Sequence, residues 1–440
     1  MSRLVAIVGR PNVGKSTLFN RLTGQRQAIV DDMSGVTRDR HYGTGDWNGV
    51  EFTVVDTGGF VPDSEDTFEA AIREQVHIAI DEAAILLFVV DAQCDVHPLD
   101  EEFAEVLRRS KKPVILVVNK VDNDRLRLDA VAFYALGYSE YFEISSASGS
   151  GTGELMDEVV KHLREIPEEI RPEEGEEEKI PRIAIVGRPN VGKSSLINAL
   201  LGIDRNIVTD IAGTTRDSID TRYKAFGKDM ILVDTAGIRK KSKVHENIEF
   251  YSVMRSLRAL EYSDVVVLII DATQGMEAQD LNLFWLAHRQ GKGIVILVNK
   301  WDLVEKETNT HLDFVAQIHE KTAPFVDVPI LFISALTKQR IYQAMETVVQ
   351  VYNNLTIKIP TRKINDYLLP IMENTPPPSR KGKFVKIKFV SQLPTKRVAF
   401  ALFCNLPQYV AESYTRFLEN KLREEFPLTG IPISLFYRKK

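Results

Sequence analysis

Two nine-residue stretches of the chain combine glycines, a lysine and a hydroxyl residue in the same order. They read GRPNVGKST from Gly9 and GRPNVGKSS from Gly187. Glycines let backbone N–H groups turn inward around phosphate oxygens, and the positive end of a following helix adds to the attraction. The lysine supplies a cation for the β- and γ-phosphates, and the serine hydroxyl can ligate Mg²⁺. Each stretch therefore predicts a loop that binds the phosphate chain of a nucleotide.

A second motif, NKxD, predicts which base the nucleotide carries. It occurs as Asn119-Lys120-Val121-Asp122 and as Asn299-Lys300-Trp301-Asp302. An ionised aspartate offers only acceptors, so it can take the ring N–H and the exocyclic amine of guanine. Adenine presents an acceptor at the ring position, and discrimination of this kind can reach about 10⁴. Taken alone, such an aspartate could simply cap a helix, but its pairing with an upstream phosphate loop, twice, favours guanine.

A third motif follows a strand-like run in each half of the chain and reads DTGG or DTAG. We assign Asp56 and Asp234 to Mg²⁺, through water, and the amides of Gly59 and Gly237 to the γ-phosphate. A lone DTGG could equally be a plain turn.

Threonines between the phosphate loop and this third motif are candidate Mg²⁺ ligands. Thr37 lies in GVTRDR and Thr215 in GTTRDS, and each could sense the γ-phosphate and order its segment in the triphosphate state. Polar, glycine-flanked segments of this kind could also be ordinary loops without that role.

The motifs belong to a duplicated domain. The two copies are offset by 178 residues at the phosphate loop and at DTGG/DTAG, and by 180 at NKxD. Continuous apolar runs such as AAILLFVVD alternate with amphipathic stretches, which predicts α/β modules with parallel or mostly parallel sheets flanked by helices. We predict GTPase-type domains over residues 1–164 and 181–357, an acidic linker over 165–180 and a basic domain over 358–440.

The linker and the last domain are defined by their charge. Residues 165–179 contain eight glutamates, two prolines and one glycine, which predicts an exposed linker, although a frayed helical extension is the alternative. Residues 358–440 contain 16 Lys and Arg against 6 Asp and Glu, within a chain of net charge −5. Such a basic domain fits a polyanionic partner or merely a solvated surface. Its pattern predicts an α-β-β-α-β, α+β fold.

The paired motifs resemble those of the translation-factor-related GTPases. Two such modules followed by a small basic domain resemble the EngA/Der family of bacterial ribosome-assembly GTPases over essentially the whole chain. The resemblance implies GTP hydrolysis, a KH-like third domain, and a role in maturation of the large ribosomal subunit with contact to its rRNA. It also implies a K⁺ ion held by the asparagines that match Asn12 and Asn190, although either could simply bond its own backbone.

Two features depart from the family pattern. The guanine loop of Ser-Ala type is Ser334-Ala335 in the second copy but Ser145-Ser146-Ala147 in the first, so its register there is open by one residue. The last domain has only Gly382 and Gly430, and hence no GxxG clamp for nucleotides. Contact between basic side chains and phosphates, with strong salt dependence, is therefore the expected mode of RNA binding.

The position after DxxG, where Ras-like enzymes place a glutamine that orients water, holds Phe60 and Ile238. Catalysis is then expected to rest on positioning and on neutralisation of charge. The predicted catalytic residues are Lys15, Thr37, Gly59, Lys193, Thr215 and Gly237. The predicted Mg²⁺ residues are Ser16, Thr37, Asp56, Ser194, Thr215 and Asp234. The predicted nucleotide contacts are Gly9, Arg10, Pro11, Asn12, Val13, Gly14, Lys15, Ser16, Thr17, Asp56, Thr57, Gly58, Gly59, Phe60, Asn119, Lys120, Val121, Asp122, Ser145, Ser146, Gly187, Arg188, Pro189, Asn190, Val191, Gly192, Lys193, Ser194, Ser195, Asp234, Thr235, Ala236, Gly237, Ile238, Asn299, Lys300, Trp301, Asp302, Ser334 and Ala335.

Composition limits the remaining possibilities. No apolar run reaches the roughly 18 residues of a membrane span, and two cysteines, Cys94 and Cys404, are too few for a disulfide framework. We expect a cytoplasmic monomer that binds GTP or GDP, Mg²⁺ and K⁺. Two alternatives are a metabolic enzyme that uses GTP to drive chemistry on a small molecule, and a binding protein in which one or both nucleotide sites are inactive.

Overall fold

The computed structural model describes residues 3–24, 42–57, 76–165, 180–202, 207–212, 219–225, 228–234, 248–380 and 382–439. The chain divides into two compact units, residues 1–179 with 241–261, and residues 180–240 with 262–440. In the part of the chain that the structure describes, no helix has the length and apolar character needed to cross a bilayer.

The first unit is built around a six-stranded sheet. Its strands are β1 (Leu4–Val8), β2 (Tyr42–Trp47), β3 (Val50–Asp56), β4 (Ile85–Asp91), β5 (Val114–Asn119) and β6 (Tyr141–Glu143). Its helices are α1 (Lys15–Gly24), α2 (Pro98–Arg109), α3 (Asp124–Asp129) and α4 (Thr152–Glu165). The strand order is β2-β3-β1-β4-β5-β6, with β2 antiparallel to β3 and the other neighbours parallel.

The central strands of this sheet are covered on both faces. Every residue of β1 and of β4 is buried. Successive side chains point to opposite faces of a strand. Ile7 accordingly belongs to one hydrophobic cluster with Leu18 of α1, whereas Ala6 belongs to another with Phe103 of α2. Continuous apolar strands form because neither face of a helix-covered parallel sheet meets water.

The second unit repeats this plan in a seven-stranded sheet. Its strands are β7 (Arg182–Val186), β8 (Ile207–Ala212), β9 (Ile219–Ala225), β10 (Lys228–Leu232), β11 (Val265–Asp271), β12 (Gly293–Asn299) and β13 (Ile330–Phe332). Its helices are α5 (Lys193–Leu201), α7 (Ala278–Arg289), α8 (Thr310–Thr322) and α9 (Ile341–Leu355), whereas α6 (Ile248–Tyr262), except for its last residue, belongs to the first unit. The order is β13-β12-β11-β7-β10-β9-β8, and the pairs β8/β9 and β9/β10 are antiparallel.

A small α+β fold completes the second unit. Its elements are α10 (Thr361–Asn374), β14 (Ile387–Gln392), β15 (Ala399–Cys404), α11 (Glu412–Glu425) and β16 (Ser434–Lys439). The sheet has the order β14-β15-β16, antiparallel at the first pair and parallel at the second. It adjoins the seven-stranded sheet, because the N–H of Ile294 donates to the carbonyl of Gly430 at 2.8 Å and the Arg423 guanidinium lies 3.1 Å from the Asp327 carboxylate.

The fold class predicted from the sequence is confirmed: two α/β modules with mostly parallel sheets and a C-terminal α+β domain. The exact domain boundaries stay predictions. Residues 166–179, nearly all of the predicted acidic linker, lie outside the described residues.

Candidate functional site

The phosphate loops lie between β1 and α1 and between β7 and α5, as the pattern predicts. In the first loop, Gly9 has φ +148° and Gly14 has φ +94°, values that L side chains rarely adopt. A Cβ at Gly9 would lie 2.3 Å from the carbonyl oxygen of Val89, and one at Gly14 would lie 2.3 Å from Nδ2 of Asn119. Both glycines are required by close approach as well as by backbone conformation.

The second loop has the same constraints. Gly187 and Gly192 have φ +148° and +101°, and added Cβ atoms would meet Ile269 O at 2.3 Å and Asn299 Nδ2 at 2.2 Å. The two phosphate loops therefore share their backbone geometry as well as their sequence.

The lysine of each loop is a largely buried cation held by backbone carbonyls. Nζ of Lys15 donates to the carbonyls of Gly9 at 2.9 Å and Arg10 at 2.8 Å. Nζ of Lys193 donates to those of Gly187 at 2.7 Å and Arg188 at 2.6 Å. Burial lowers the pKa of both lysines to about 8, although Asp56 opposes the shift at Lys15 and Asp280 opposes it at Lys193.

These two ammonium groups are therefore poorly solvated and short of negative charge. An anion delivered to the loop would raise the pKa of the lysine again and favour its charged form. This is the property that a phosphate site needs, and the geometry fits a nucleotide phosphate chain.

Other predicted residues of the loops differ in their exposure to solvent. Val13 and Val191 are buried. Asn12 and Asn190 are exposed and have a left-handed backbone conformation, with φ +65° and +63°. Pro11 and Pro189 are partly buried, and Thr17, Ser194 and Ser195 are exposed on the first turns of α1 and α5.

A hydroxyl and a carboxylate meet at the predicted Mg²⁺ position of the first module. Ser16 Oγ donates to Asp56 Oδ2 at 2.5 Å, and Asp56 is fully buried at the end of β3. The next residue is anchored, since Thr57 Oγ1 donates to the carbonyl of Ile7 at 2.9 Å. One hydroxyl and one carboxylate beside a phosphate loop fit Mg²⁺, which takes few protein ligands and completes its shell with phosphate oxygens and water.

The corresponding aspartate of the second module is anchored through its backbone. Asp234 is buried with φ +53°, and its backbone N–H donates to Asp220 Oδ1 at 3.1 Å. Asp220 in turn accepts from Arg182 at 2.6 Å. Asp234 thus lies at the expected place beyond β10, next to an Asp220–Arg182 pair that no sequence motif indicates.

Several predicted site residues lie outside the described residues. They are Thr37, Gly58, Gly59, Phe60, Thr215, Thr235, Ala236, Gly237 and Ile238. Their assignments stay predictions.

The asparagine of NKxD joins the phosphate loop to the guanine loop. Asn119 Nδ2 donates to the carbonyl of Val13 at 2.8 Å, and its Oδ1 accepts from the N–H of Ser146 at 2.9 Å. In the second module Asn299 Nδ2 donates to Val191 at 2.7 Å, and its Oδ1 accepts from Ala335 at 2.9 Å. We call each of these residues the clamp asparagine.

These bonds also define the register of the guanine loops. Ser146 occupies the place of Ala335, and Ser145 that of Ser334. The serine hydroxyls support this equivalence, because each accepts from the N–H three residues later. Ser145 Oγ accepts from Ser148 at 3.2 Å, and Ser334 Oγ accepts from Thr337 at 3.1 Å. The open register of the first copy is thus resolved geometrically, with Ser145-Ser146 equivalent to Ser334-Ala335.

The rest of NKxD presents its aspartate to solvent. Lys120 and Lys300 have left-handed backbones, with φ +68° and +62°. Their ammonium groups lie 2.6 Å from Asp91 and Asp271, at the ends of β4 and β11.

Val121 and Trp301 are buried, whereas Asp122 and Asp302 are exposed beyond them. An exposed carboxylate beside the phosphate loop can accept the two N–H groups of a guanine edge.

Sequence reasoning missed the ion pairs that hold the loops. Arg10 Nε lies 3.2 Å from Asp100 in the first turn of α2, and Arg188 Nε lies 2.8 Å from Asp280 of α7. Burial raises the pKa of both carboxyl groups against the effect of their arginines. The available signal was the repeat itself, since both aspartates recur at the 180-residue offset.

Each α/β module thus combines a phosphate loop, a clamp asparagine and an exposed base-reading carboxylate, which together define the class of P-loop GTPases. Residues 4–120 and 182–300 match the family described as 50S ribosome-binding GTPase. Residues 358–438 match the KH-domain-like C-terminal domain of EngA bacterial GTPase enzymes.

Curated relatives extend this match to full length. GTPase Der of Christiangramia forsetii is 61% identical over 440 residues, and GTPase Der of Cytophaga hutchinsonii is 59% identical over 441 residues. Both alignments cover 100% of this chain and 100% of the relative. The chain belongs to the GTPase Der family, and the resemblance inferred from its motifs is confirmed.

Among solved structures, Era in complex with MgGDPNP and 16S ribosomal RNA covers 60% of this chain at 23% identity, with a TM-score of 0.32. The match covers 94% of the Era chain. Similarity at this level carries no argument about function.

Proposed function

We propose that this GTPase is a Mg²⁺-dependent, K⁺-stimulated switch that acts in the cytoplasm on the maturing large ribosomal subunit, and that its basic C-terminal domain contacts ribosomal RNA. The observation that carries the proposal is the presence of two sites, each with a phosphate loop and an exposed base-reading carboxylate, on a chain that also has a basic KH-like domain. Full-length relatives named GTPase Der support the GTPase part of this proposal, and the match to the family described as 50S ribosome-binding GTPase supports its ribosomal part.

The first step in each module is capture of the nucleotide. Loop amides surround the phosphates, Lys15 or Lys193 neutralises part of their charge, and Asp122 or Asp302 accepts from the guanine edge. When bound, Mg²⁺ would supply positive charge against the negative charge that develops on the phosphates. Ser16 and Asp56 are placed to hold it in the first module, and Ser194 and Asp234 are the corresponding residues of the second.

Hydrolysis would then depend on positioning rather than on a side-chain base. Phe60 and Ile238 cannot orient water by hydrogen bonding. A K⁺ ion held in part by Asn12 and Asn190 would supply the additional positive charge that the transition state requires. The exposure of both asparagine side chains is compatible with that role.

The potassium assignment has a direct test. GTP turnover measured at equal ionic strength should be faster in K⁺ than in Na⁺. Asn12→Gly and Asn190→Gly keep the left-handed backbone accessible while removing the side-chain amide, so each should abolish the K⁺ stimulation of its own module. Equal rates in the two salts would remove K⁺ from the proposal and leave GTP binding intact.

The ribosomal assignment is tested by co-sedimentation of the full chain with large ribosomal subunits. We expect association with a non-hydrolysable GTP analogue to differ from association with GDP. Identical behaviour in both states would contradict a nucleotide-controlled switch and favour the metabolic alternative. A Lys15→Ala, Lys193→Ala double variant is the control, since its behaviour should not respond to nucleotide.

A further inference from the structure

The C-terminal sheet has one covered and one open face. On the covered face Val390 and Leu402 are buried in a cluster with Leu368 of α10 and Leu418 of α11. On the strand surfaces that alternate with them, Phe389 is 40% exposed. Phe436 is 51% exposed. Large apolar side chains at such exposure on one sheet face call for an explanation, whereas scattered ones do not.

The pairing of the strands places these rings together. Phe389 pairs with Phe403 across β14 and β15, and Phe403 pairs with Arg438 across β15 and β16. Two residues before Phe403 on β15, Ala401 pairs with Phe436 of β16. Paired residues share a face, and so do residues two apart on a strand. The three phenylalanines and Arg438 therefore lie on the open face, where the rings of Phe389 and Phe403 have centroids 5.9 Å apart.

Positive charge surrounds the rings. No Asp or Glu occurs between Glu373 and Glu412, a segment with seven Lys and Arg, and none occurs in β16. Three exposed cations, Lys386, Lys388 and Arg438, lie on β14 and β16 or next to them. Within the described ranges, none of the three is paired with a carboxylate.

We propose that this face, which we call the aromatic platform (Phe389, Phe403, Phe436 with Lys386, Lys388 and Arg438), binds unpaired RNA bases by stacking. Flat apolar rings on a sheet suit the π-faces of bases, and unpaired cations at the edge suit the phosphates that join them. The proposal rests on the proposed function, since it specifies how the basic domain contacts RNA. It adds base stacking to the phosphate contacts expected from charge alone.

Charge complementarity favours RNA over a protein partner. An apolar protein surface would leave three cations without counter-charges at the contact, whereas a nucleic acid strand supplies one phosphate for each base. The platform also selects the form of RNA, because bases within a duplex are already stacked and cannot cover the rings. A single-stranded segment or loop is therefore the expected ligand.

The test uses the full chain and a fluorescein-labelled single-stranded RNA of about 12 nucleotides, within the range of site sizes that such sheet surfaces cover. Anisotropy titrations should show that Phe389→Ala and Phe436→Ala each weaken binding by about fivefold or more. The matched control is Phe384→Ala, since Phe384 is 76% exposed but precedes β14, and its affinity should stay unchanged. Binding of a duplex RNA should not respond to any of the three changes.

Several outcomes would overturn the platform. If Phe436→Leu binds like the unaltered chain while Phe436→Ala does not, the site needs only apolar bulk and is not a stacking site. If Lys388→Gln and Arg438→Gln weaken binding while all phenylalanine variants bind normally, phosphates alone are recognised. If light scattering shows a concentration-dependent dimer that Phe436→Ala dissociates, the face binds a second copy of the chain.

These results are distinguishable from failure of the proposed function. Unaltered GTP affinity and thermal melting would show that each variant is folded. Absence of any association between the unaltered chain and large ribosomal subunits would remove the ribosomal role, whatever the oligonucleotide results. Normal association with subunits, combined with wild-type RNA affinity of the alanine variants, would remove the platform alone.

Discussion

The two nucleotide modules agree at the phosphate end and differ at the base end. The lysine-to-carbonyl distances lie between 2.6 and 2.9 Å in both loops, and the clamp asparagines make the same two bonds. The guanine loops are supported by different side chains. In the first module Arg21 of α1 donates to the carbonyls of Ser146, at 3.2 Å, and Ala147. Ala199, which cannot make such bonds, occupies the equivalent position of the second.

Aromatic packing takes a larger part in the second module. Trp301, the variable residue of its NKxD, lies with its ring centroid 4.3 Å from that of Phe332 and 5.4 Å from that of Phe314. The first module has Val121 there. The guanine loop of the second module is closed further by an antiparallel β-bridge between Ser334 and Gln339.

This difference shows which part of the site can be built from different residues. The phosphate loop must bring backbone amides and carbonyls within contact of one small group, so neither its glycines nor its lysine can vary. The base loop needs only to present a carboxylate and a few amides, which either an arginine or an aromatic cluster can hold in place.

The largest effect is expected from the base-reading carboxylates. Asp122→Asn should weaken GTP binding at the first module, and Asp302→Asn at the second, by about a hundred- to ten-thousandfold. Two hydrogen bonds to a charged acceptor are lost and one guanine N–H then faces an amide donor. Competition titrations with fluorescent GTP should show this loss, and xanthosine triphosphate, which has a carbonyl at that position, should bind the variants better.

The comparison between modules provides the control. Each variant should retain one site with normal guanine affinity, because the other carboxylate is untouched. A variant that kept its guanine preference at both sites would contradict the assignment of the base.

The clamp asparagines should give the next largest effect. Asn119→Ala and Asn299→Ala each leave a buried carbonyl and a buried N–H without their partner, at about 1–3 kcal/mol apiece. The phosphate loop and the guanine loop then lose their direct connection. We expect GDP affinity to fall by about ten- to a hundredfold at the altered module, measured by calorimetry with the other module as internal reference.

A fall at both modules, or a lowered melting temperature without any change in affinity, would contradict a local role for the clamp. The equality of the two modules at this point predicts equal losses.

Much of the fold and the site could be predicted from the sequence because the constraints are local. A phosphate loop is specified by φ values that only glycine accepts, and buried parallel strands by continuous apolar runs. The pairs that hold the loops, such as Lys120 with Asp91 and Arg10 with Asp100, join residues 29 and 90 positions apart. No local pattern indicates such contacts, and the duplication of both aspartates was the only trace of them.

The aromatic platform was beyond sequence reasoning for a different reason. The alternation of β14 and β16 predicts strands but does not state which face the helices cover. Phe389 and Phe436 lie 47 positions apart, and only the pairing of both strands with β15 brings them to one face.

Arg21 should contribute a smaller effect that is confined to the first module. Arg21→Ala removes two donors from the carbonyls of the guanine loop, so the loop amides should be less well ordered for the base. We expect GDP affinity at that module to fall by about fivefold, the value of roughly 1 kcal/mol of hydrogen bonding. The measurement is made on a background of Asp302→Asn, so that guanine occupies the first site alone.

Ala199→Arg is the reciprocal change in the second module. Since Trp301 and its neighbours already hold that loop, we expect no gain in affinity there. A gain equal to the loss caused by Arg21→Ala would mean that the two loops are supported in the same way, against the comparison drawn above.

The smallest expected effect is a pH dependence shared by both modules. Burial lowers the pKa of Lys15 and Lys193 to about 8, so in the empty sites a growing fraction of each lysine is neutral above that pH. Phosphate binding favours the charged form, and each site must then take up protons, about half a proton at pH 8. GDP affinity should therefore fall by about fourfold between pH 7 and 8.5, with little change below pH 7. Calorimetry in buffers of different ionisation enthalpy measures the uptake directly, and release of protons, or uptake at one module alone, would show that the two lysines are not equivalent.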